Sequence, residues 1–231
     1  MPNLNRDILY LIFKEFQDDK KTLHSCLLVN KTWCEVIIPI FWNNPWKDLK
    51  GKEKLLLNVI ILHVSDDDLI SQGIDFLINC YQKPLFDYIS FCKHLNFDVI
   101  WKIIDKDICF GESSRFLIKN EILNLFINRN TKFTHLYISR QFEGQIHQIP
   151  GTKYCFSKIE FISCNANINN NVLIGLIEMS ESIKEIEIFI EDGNKNYEID
   201  KLIKAPKKLL KIISLLTDYS SSMYSKYNEF L

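Results

Sequence analysis

Glycine is scarce in this chain, with seven among 231 residues. No glycine-rich phosphate loop and no G-x-S-x-G can be found, and H-E-x-x-H is missing too, which removes the common signatures of phosphoryl transfer, serine hydrolysis and zinc proteolysis. An excess of one charge is also lacking. Lysine and arginine number 28 against 29 acids, a formal charge of -1, so no basic surplus exists to neutralise phosphates and nucleic acid is not an expected partner. Long apolar runs are absent: the longest, Leu55 to Val64, is broken by Asn58 and His63 and is too short to cross a bilayer, so no membrane partner is expected either. The start, MPNLNRD, has no basic segment leading into an apolar core, so no signal peptide and an intracellular place, cytoplasm or nucleus, are expected.

Cysteine pairs at metal-ligand spacing are missing as well. The seven cysteines, at 26, 34, 80, 92, 109, 155 and 164, never form C-x-x-C, which suits buried thiols in a reducing compartment. The sequon Asn30-Lys31-Thr32 is then a coincidence. The five histidines are scattered and none sits at ligand spacing from a carboxylate or cysteine, so no metal and no cofactor is expected. Cys155 or Cys164 with His147 or His135 is conceivable as a nucleophile and base, but no orienting acid is marked, and buried thiols are the plainer reading. Ser65-Asp66-Asp67-Asp68 reads as a capped helix start rather than a cation site, because no further ligands follow at loop spacing.

What is present is apolar and aromatic mass, 47% and 13% of the residues, enough for a packed globular protein rather than a disordered one. It is densest from Leu4 to Trp46. Ile8, Leu9, Ile12, Phe13 and Phe16 fall at i, i+1, i+4, i+5 and i+8, a broad stripe on one helix with Asn5 as N-cap and Asp7 in its first turn. Gln17, Asp18 and Asp19 end that helix. A second runs from about Lys20 to Leu28 and buries Leu23, Cys26 and Leu27. Asn30 caps a third, whose Trp33, Val36, Ile37 and Ile40 face inward and whose length Pro39 limits. Three such helices make a core too small to stand alone, so apolar side chains left outside it are candidates for an interface.

The order L-x-x-D-I-L-x-x-I-F, then C-L-L-V-N-K-T-W, then P-I-F-W-N-N-P-W resembles an F-box, the adaptor-docking module of ubiquitin-ligase substrate receptors. Matching positions are Leu4, Asp7, Ile8, Leu9, Ile12, Phe13, Phe16, Leu23, Cys26, Leu28, Val29, Asn30, Trp33, Phe41 and Trp42. Asn5 follows Leu4 where the family usually has proline. The resemblance is to fungal F-box proteins with leucine-rich-like repeats behind the box. It implies an F-box domain over 1–48 that docks a Skp-type adaptor, and through it a cullin-RING ligase, with Leu4, Ile8, Leu9, Ile12, Leu23, Leu27, Val29 and Trp42 contributing contacts. Phe13, Phe16, Cys26, Trp33, Ile37 and Phe41 hold the bundle together in that reading.

Behind a lysine-rich connector, 47–54, lies a helix from Glu53 to His63, and then a recurring shape. Phe86-x-x-Ile89-x-Phe91, Phe133-x-x-Leu136-x-Ile138, Phe156-x-x-Ile159-x-Phe161, Ile183-x-x-Ile186-x-Ile188 and Leu210-x-x-Ile213-x-Leu215 share one template, with anchors 47, 23, 27 and 27 residues apart. A degenerate copy at Ile108-x-Phe110 would halve the long interval. Such spacing falls in the leucine-rich-repeat range of roughly 20–29 residues, each unit giving a short parallel strand and a returning helix. Helices are expected over Phe97–Ile104, Phe116–Asn128, Asn171–Met179 and Tyr197–Ile203, the second burying Phe116, Leu117, Ile122, Leu123, Leu125 and Phe126. After Thr217 no repeat remains to close, so the tail frays or the solenoid lacks its cap.

The fold expected is therefore α/β: a three-helix F-box head, then a short, irregular leucine-rich-repeat-like solenoid over 49–231 that holds a protein target. The function implied is that of a non-catalytic substrate receptor of an SCF-type ligase. A repeat scaffold with a degenerate box and no ligase role stands beside it, and an enzyme with a novel site is the remote third.

Overall fold

The computed structural model describes residues 4–65, 82–107, 111–127, 131–140, 142, 146–191, 199–207 and 209–217. Asp66–Asp68, the copy at Ile108 and Phe110, Cys80, Cys109 and the tail beyond Thr217 lie outside the described residues. The architecture is α/β, with ten α-helices and a five-stranded parallel sheet among the described residues.

Three capped helices open the chain: α1 (Arg6–Glu15), α2 (Lys20–Leu27) and α3 (Lys31–Trp42). Each start is fixed by one short polar side chain that accepts from an amide which has no partner within the helix. Asn5 Oδ1 takes the Asp7 N–H at 3.2 Å, an Asp19 carboxylate oxygen takes that of Thr22 at 3.2 Å, and Asn30 Oδ1 takes that of Trp33 at 2.9 Å. Thr22 also donates its hydroxyl to Asp19 at 2.6 Å, and these bonds hold the Asp19 carboxyl below the ordinary carboxylate range. Leu9, Phe13, Leu23, Val36 and Ile37 form the interior of this unit, with Cys26, Leu27, Trp33, Ile40 and Phe41 packed around them and the Trp33 ring edge-on to Phe13 at 5.0 Å.

Pro39 does not end α3. The helix continues through it to Trp42, because the residues beyond the proline are anchored elsewhere: Trp42 stacks on Tyr88 at 4.6 Å, and the Asn43 carbonyl accepts the N–H groups of Lys93 and His94 at 2.9 and 3.2 Å. Those contacts offset the ladder bond that proline removes. Trp46 is buried in the larger core and donates its indole N–H to the His94 carbonyl. The packing boundary thus falls after Phe41, ahead of residue 48, and α3 belongs to both parts of the molecule. In the connector, Lys20 Nζ reaches Asp48 at 2.8 Å and the Lys47 carbonyl at 3.0 Å; the lysine's hydrogen bond holds the Asp48 carboxyl low. Asp48 and Gly51 take left-handed φ of 60° and 73°, which turns the chain into α4 (Glu53–Ile61).

The sheet consists of β1 (His94–Asn96), β2 (His135–Ile138), β3 (Phe161–Asn165), β4 (Glu185–Glu191) and β5 (Lys211–Thr217), neighbours in chain order and all parallel. A single backbone device repeats at every step. The carbonyl of Lys93 accepts from Thr134 and His135, that of Thr134 from Glu160 and Phe161, that of Glu160 from Lys184 and Glu185, and that of Lys184 from Leu210 and Lys211. Asn43 performs the same service for Lys93 and His94, so the end of α3 acts as the rung before β1. On the helix-covered face, Leu95, Leu136, Ile162 and Ile186 line up in register, followed by Ile138, Cys164 and Ile188, all buried in one continuous core.

The register offsets from β2 onward are 26, 24 and 26 residues. This sets the repeat differently from the sequence template in three places. Phe86 to Phe91 holds the short helix α5 (Tyr88–Phe91), with the first strand following at His94. The third copy is displaced by three residues, since Ile159, Ile162 and Cys164 point inward and Phe161 outward. The last is displaced by one: Leu209 packs on the core while Leu210 is exposed. A period-two template fits an apolar-rich chain in several registers, and burial under the helices selects among them. Between the strands lie α6 (Phe97–Lys106), α7 (Glu112–Phe126), α8 (Thr152–Cys155), α9 (Asn170–Glu178) and α10 (Ile199–Lys204). Helix α7 starts earlier than expected and buries Ile118, Ile122, Leu123 and Phe126, leaving Phe116 66% exposed.

Candidate interaction surfaces

Helix α1 carries two apolar stripes side by side. Leu9 and Phe13 enter the small interior, whereas Ile8 and Ile12, one turn apart, face water beside Leu11, with Leu4 before them and Phe16 after. The turn between α2 and α3 adds Leu28, 88% exposed, and Val29. An apolar surface of this kind on a unit with so small a core is the feature that marks an interaction site.

The residues expected to contact a partner divide accordingly. Leu4, Ile8, Ile12 and Val29 lie on the outside. Leu9 and Leu23 do not: they are sealed inside the bundle at 3% and 0% exposure, because each sits where α1 or α2 crosses α3. Leu27 is half-buried against the same interior, and Trp42 is committed to the larger core through Tyr88. Of the residues expected to hold the bundle together, Phe13 and Ile37 are interior, Cys26, Trp33 and Phe41 pack around them, and Phe16 at the C-terminal end of α1 is exposed instead. Leu11 also belongs to this outer set, and its place beside the buried stripe of α1 is legible on a helical wheel; Leu28, past the end of α2, is not marked by any helical period.

A second surface is the sheet face opposite the helices. Its first row runs His94, His135, Phe161, Glu185, Lys211, and its second Asn96, Tyr137, Ser163, Glu187, Ile213. The His94 and His135 rings stack at 3.8 Å, and Phe161 lies 5.3 Å from the rings of both His135 and Tyr137. Ser163 donates to Glu187 at 2.7 Å. Burial, and then the neighbouring His135, pulls His94 down to about 3; burial also lowers His135, partly opposed by Glu160 and Glu185. Both rings are therefore neutral at pH 7. Burial, and then Glu187, raises the Tyr137 phenol.

Cys164 and His135, one of the imagined pairs of nucleophile and base, are not brought together. Cys164 projects to the helix-covered face and His135 to the other, as the register of His135 with Phe161 and Ile138 with Cys164 requires. Burial pushes the Cys164 thiol, like that of Cys92, up to about 12, the reverse of what a nucleophile needs. Cys155 is buried, and the side chain of His147 lies outside those described. Among the described residues no group of three or more potential metal ligands occurs, and no helix is long and apolar enough to cross a membrane. No family model, curated protein or solved structure matches the chain.

Proposed function

We propose that the chain is the substrate-recognition subunit of an SCF-type cullin-RING ubiquitin ligase, with α1 to α3 as an F-box-like head and the sheet with its helices as a short leucine-rich-repeat-like body. The observation that carries this reading is the apolar exterior of the head: Leu4, Ile8, Leu11, Ile12, Leu28 and Val29 face water around a unit whose own interior is complete without them. A Skp-type adaptor is the partner whose helices would cover that surface. Parallel strands in chain order, offset by 24 or 26 residues from β2 onward, support the repeat-like body, since leucine-rich repeats recur at roughly 20–29 residues. The chain performs no bond chemistry in this scheme. It holds a target beside the conjugating enzyme and raises the effective concentration of the target's lysines.

The test is co-purification with a Skp-type adaptor. The wild-type chain binds, and Ile8→Glu with Leu28→Glu abolishes binding, because a charge in an apolar interface is left desolvated and unpaired. Both side chains are exposed, so the variant keeps its fold and its circular dichroism spectrum. Binding that survives both charges defeats the reading. A wild-type chain that fails to bind favours the second one, a repeat scaffold with a drifted box. That reading draws on Asn5, which caps α1 where the family usually has proline.

A further inference from the structure

The outward rows of the sheet are unequal along their length. Toward β1 and β2 they hold four rings, His94, His135, Tyr137 and Phe161, packed at 3.8 to 6.5 Å; toward β4 they hold two carboxylates, Glu185 and Glu187. Glu185 is in register with Phe161, and Glu187 with Ser163, which is itself in register with Tyr137. Parallel strands lie about 4.8 Å apart, so each acid stands one or two strand spacings from a ring. Lys211, on the edge strand, is the one lysine or arginine in these two rows. All four rings are half-buried, so they offer surface without being enclosed.

Faces of aromatic rings attract cations, and a carboxylate beside them adds a charged acceptor that an arginine fork or a lysine ammonium can reach. Protonated imidazoles would repel such a ligand. Here the two histidines are neutral, because their place in the stack withholds water from them.

We infer that this face binds a cationic segment of the target protein, seating an arginine or lysine side chain against His135, Tyr137 and Phe161 with Glu185 and Glu187 as its counter-charges. The inference rests on reading the body as the target-holding part and gives that target a chemical class. The same two carboxylates exclude nucleic acid from the face, since a phosphate backbone would meet like charge.

The experiment uses the full chain without adaptor, so its outcome is independent of head docking. An acetylated, amidated tetra-arginine peptide and its tetra-glutamate counterpart are titrated while the ring signals of His94 and His135 are followed by NMR. Tetra-arginine is expected to shift both signals saturably, and tetra-glutamate to leave them in place. Glu185→Gln with Glu187→Gln weakens the tetra-arginine interaction about tenfold, the scale of one lost charge-assisted contact, and Glu112→Gln on α7 does not change it. Glutamine can still accept from Ser163, so the strand geometry is retained; Glu185→Gln alone serves if the double variant fails to fold. Ring signals that do not respond to tetra-arginine, that respond equally to tetra-glutamate, or that respond unchanged in the glutamine variants overturn the inference.

Discussion

The head and the body solve the problem of apolar side chains in opposite ways. In the body, one continuous core gathers the inward ladder of four strands, the aromatic residues Phe97, Phe126, Phe133, Phe142 and Phe156, and Trp46 from just beyond α3. In the head, five residues are buried and a second set of comparable size is left outside. The body's core takes in most of its large apolar side chains, with Phe116 and Leu210 among those left exposed, whereas the head leaves more large apolar side chains exposed than it buries. That exposed apolar set is the physical content of the docking proposal.

The difference predicts two unfolding behaviours. Phe133→Ala removes a fully buried ring in contact with Phe126 and Phe156, and should destabilise the body by about 3–5 kcal/mol in urea titrations followed by tryptophan fluorescence. Leu23→Ala should cost the head about 2–5 kcal/mol by the same cavity mechanism. Because the two cores are separate, the second loss should show as an early transition that leaves the amide protection of β2 to β4 intact. One merged transition in both variants would mean that α3 couples the parts more tightly than their separate interiors suggest.

The coupling itself rests on few groups. Trp46→Phe keeps most of the ring burial and deletes the N–H that the His94 carbonyl accepts, for an expected loss of about 1 kcal/mol. The readout is faster hydrogen exchange at His94 and Lys93, whose amides the Asn43 carbonyl holds, with the rest of the sheet unchanged.

Acid should act on the body through the histidine stack. His94 is held at about 3 in the fold against roughly 6.5 in an unfolded chain, so between those values the unfolded state binds more protons. Stability from this site is therefore complete above about pH 6.5 and is lost progressively as the pH falls toward 3. His135 is lowered as well and works in the same direction. His94→Phe keeps a flat ring against His135 and carries no titrating group, so its stability should fall less steeply over that interval than that of the wild type. Equal slopes in the two proteins would show that the stack does not set the acid response.

Much of the head was legible because its signals are local. Asn5 and Asn30 are caps in sequence and in space, and the polar run ending at Asp19 separates the first two helices. Longer-range features were not. The β1 strand has one apolar residue among His94, Leu95 and Asn96, so no alternation announces it; its pairing comes from the Asn43 carbonyl and from β2. His94 and His135 meet only because two strands lie in register, and nothing near either residue reveals the other. Local propensity lets Pro39 limit the length of α3, while the anchors that carry the helix on to Trp42 are tertiary and leave no local signal.

The same limit explains why two of the expected docking residues, Leu9 and Leu23, are interior, and why Leu27 and Trp42 are half-buried. An apolar stripe covering Ile8, Leu9, Ile12, Phe13 and Phe16 spans a wide arc of α1, and the sequence does not say which edge meets α3. Adjacent residues Ile8 and Leu9 therefore give the finest test of the division. Leu9→Ala opens a cavity in the small interior and should cost about 2–4 kcal/mol. Ile8→Ala removes a side chain that is 47% exposed and replaces it with a better helix former, so its effect should stay within about 0.5 kcal/mol. Paired with adaptor present, the order should change: Ile8→Ala then weakens binding while leaving the fold intact. A stability loss for Ile8→Ala as large as that for Leu9→Ala would place both side chains in one interior and remove the exposed stripe on which the docking proposal rests.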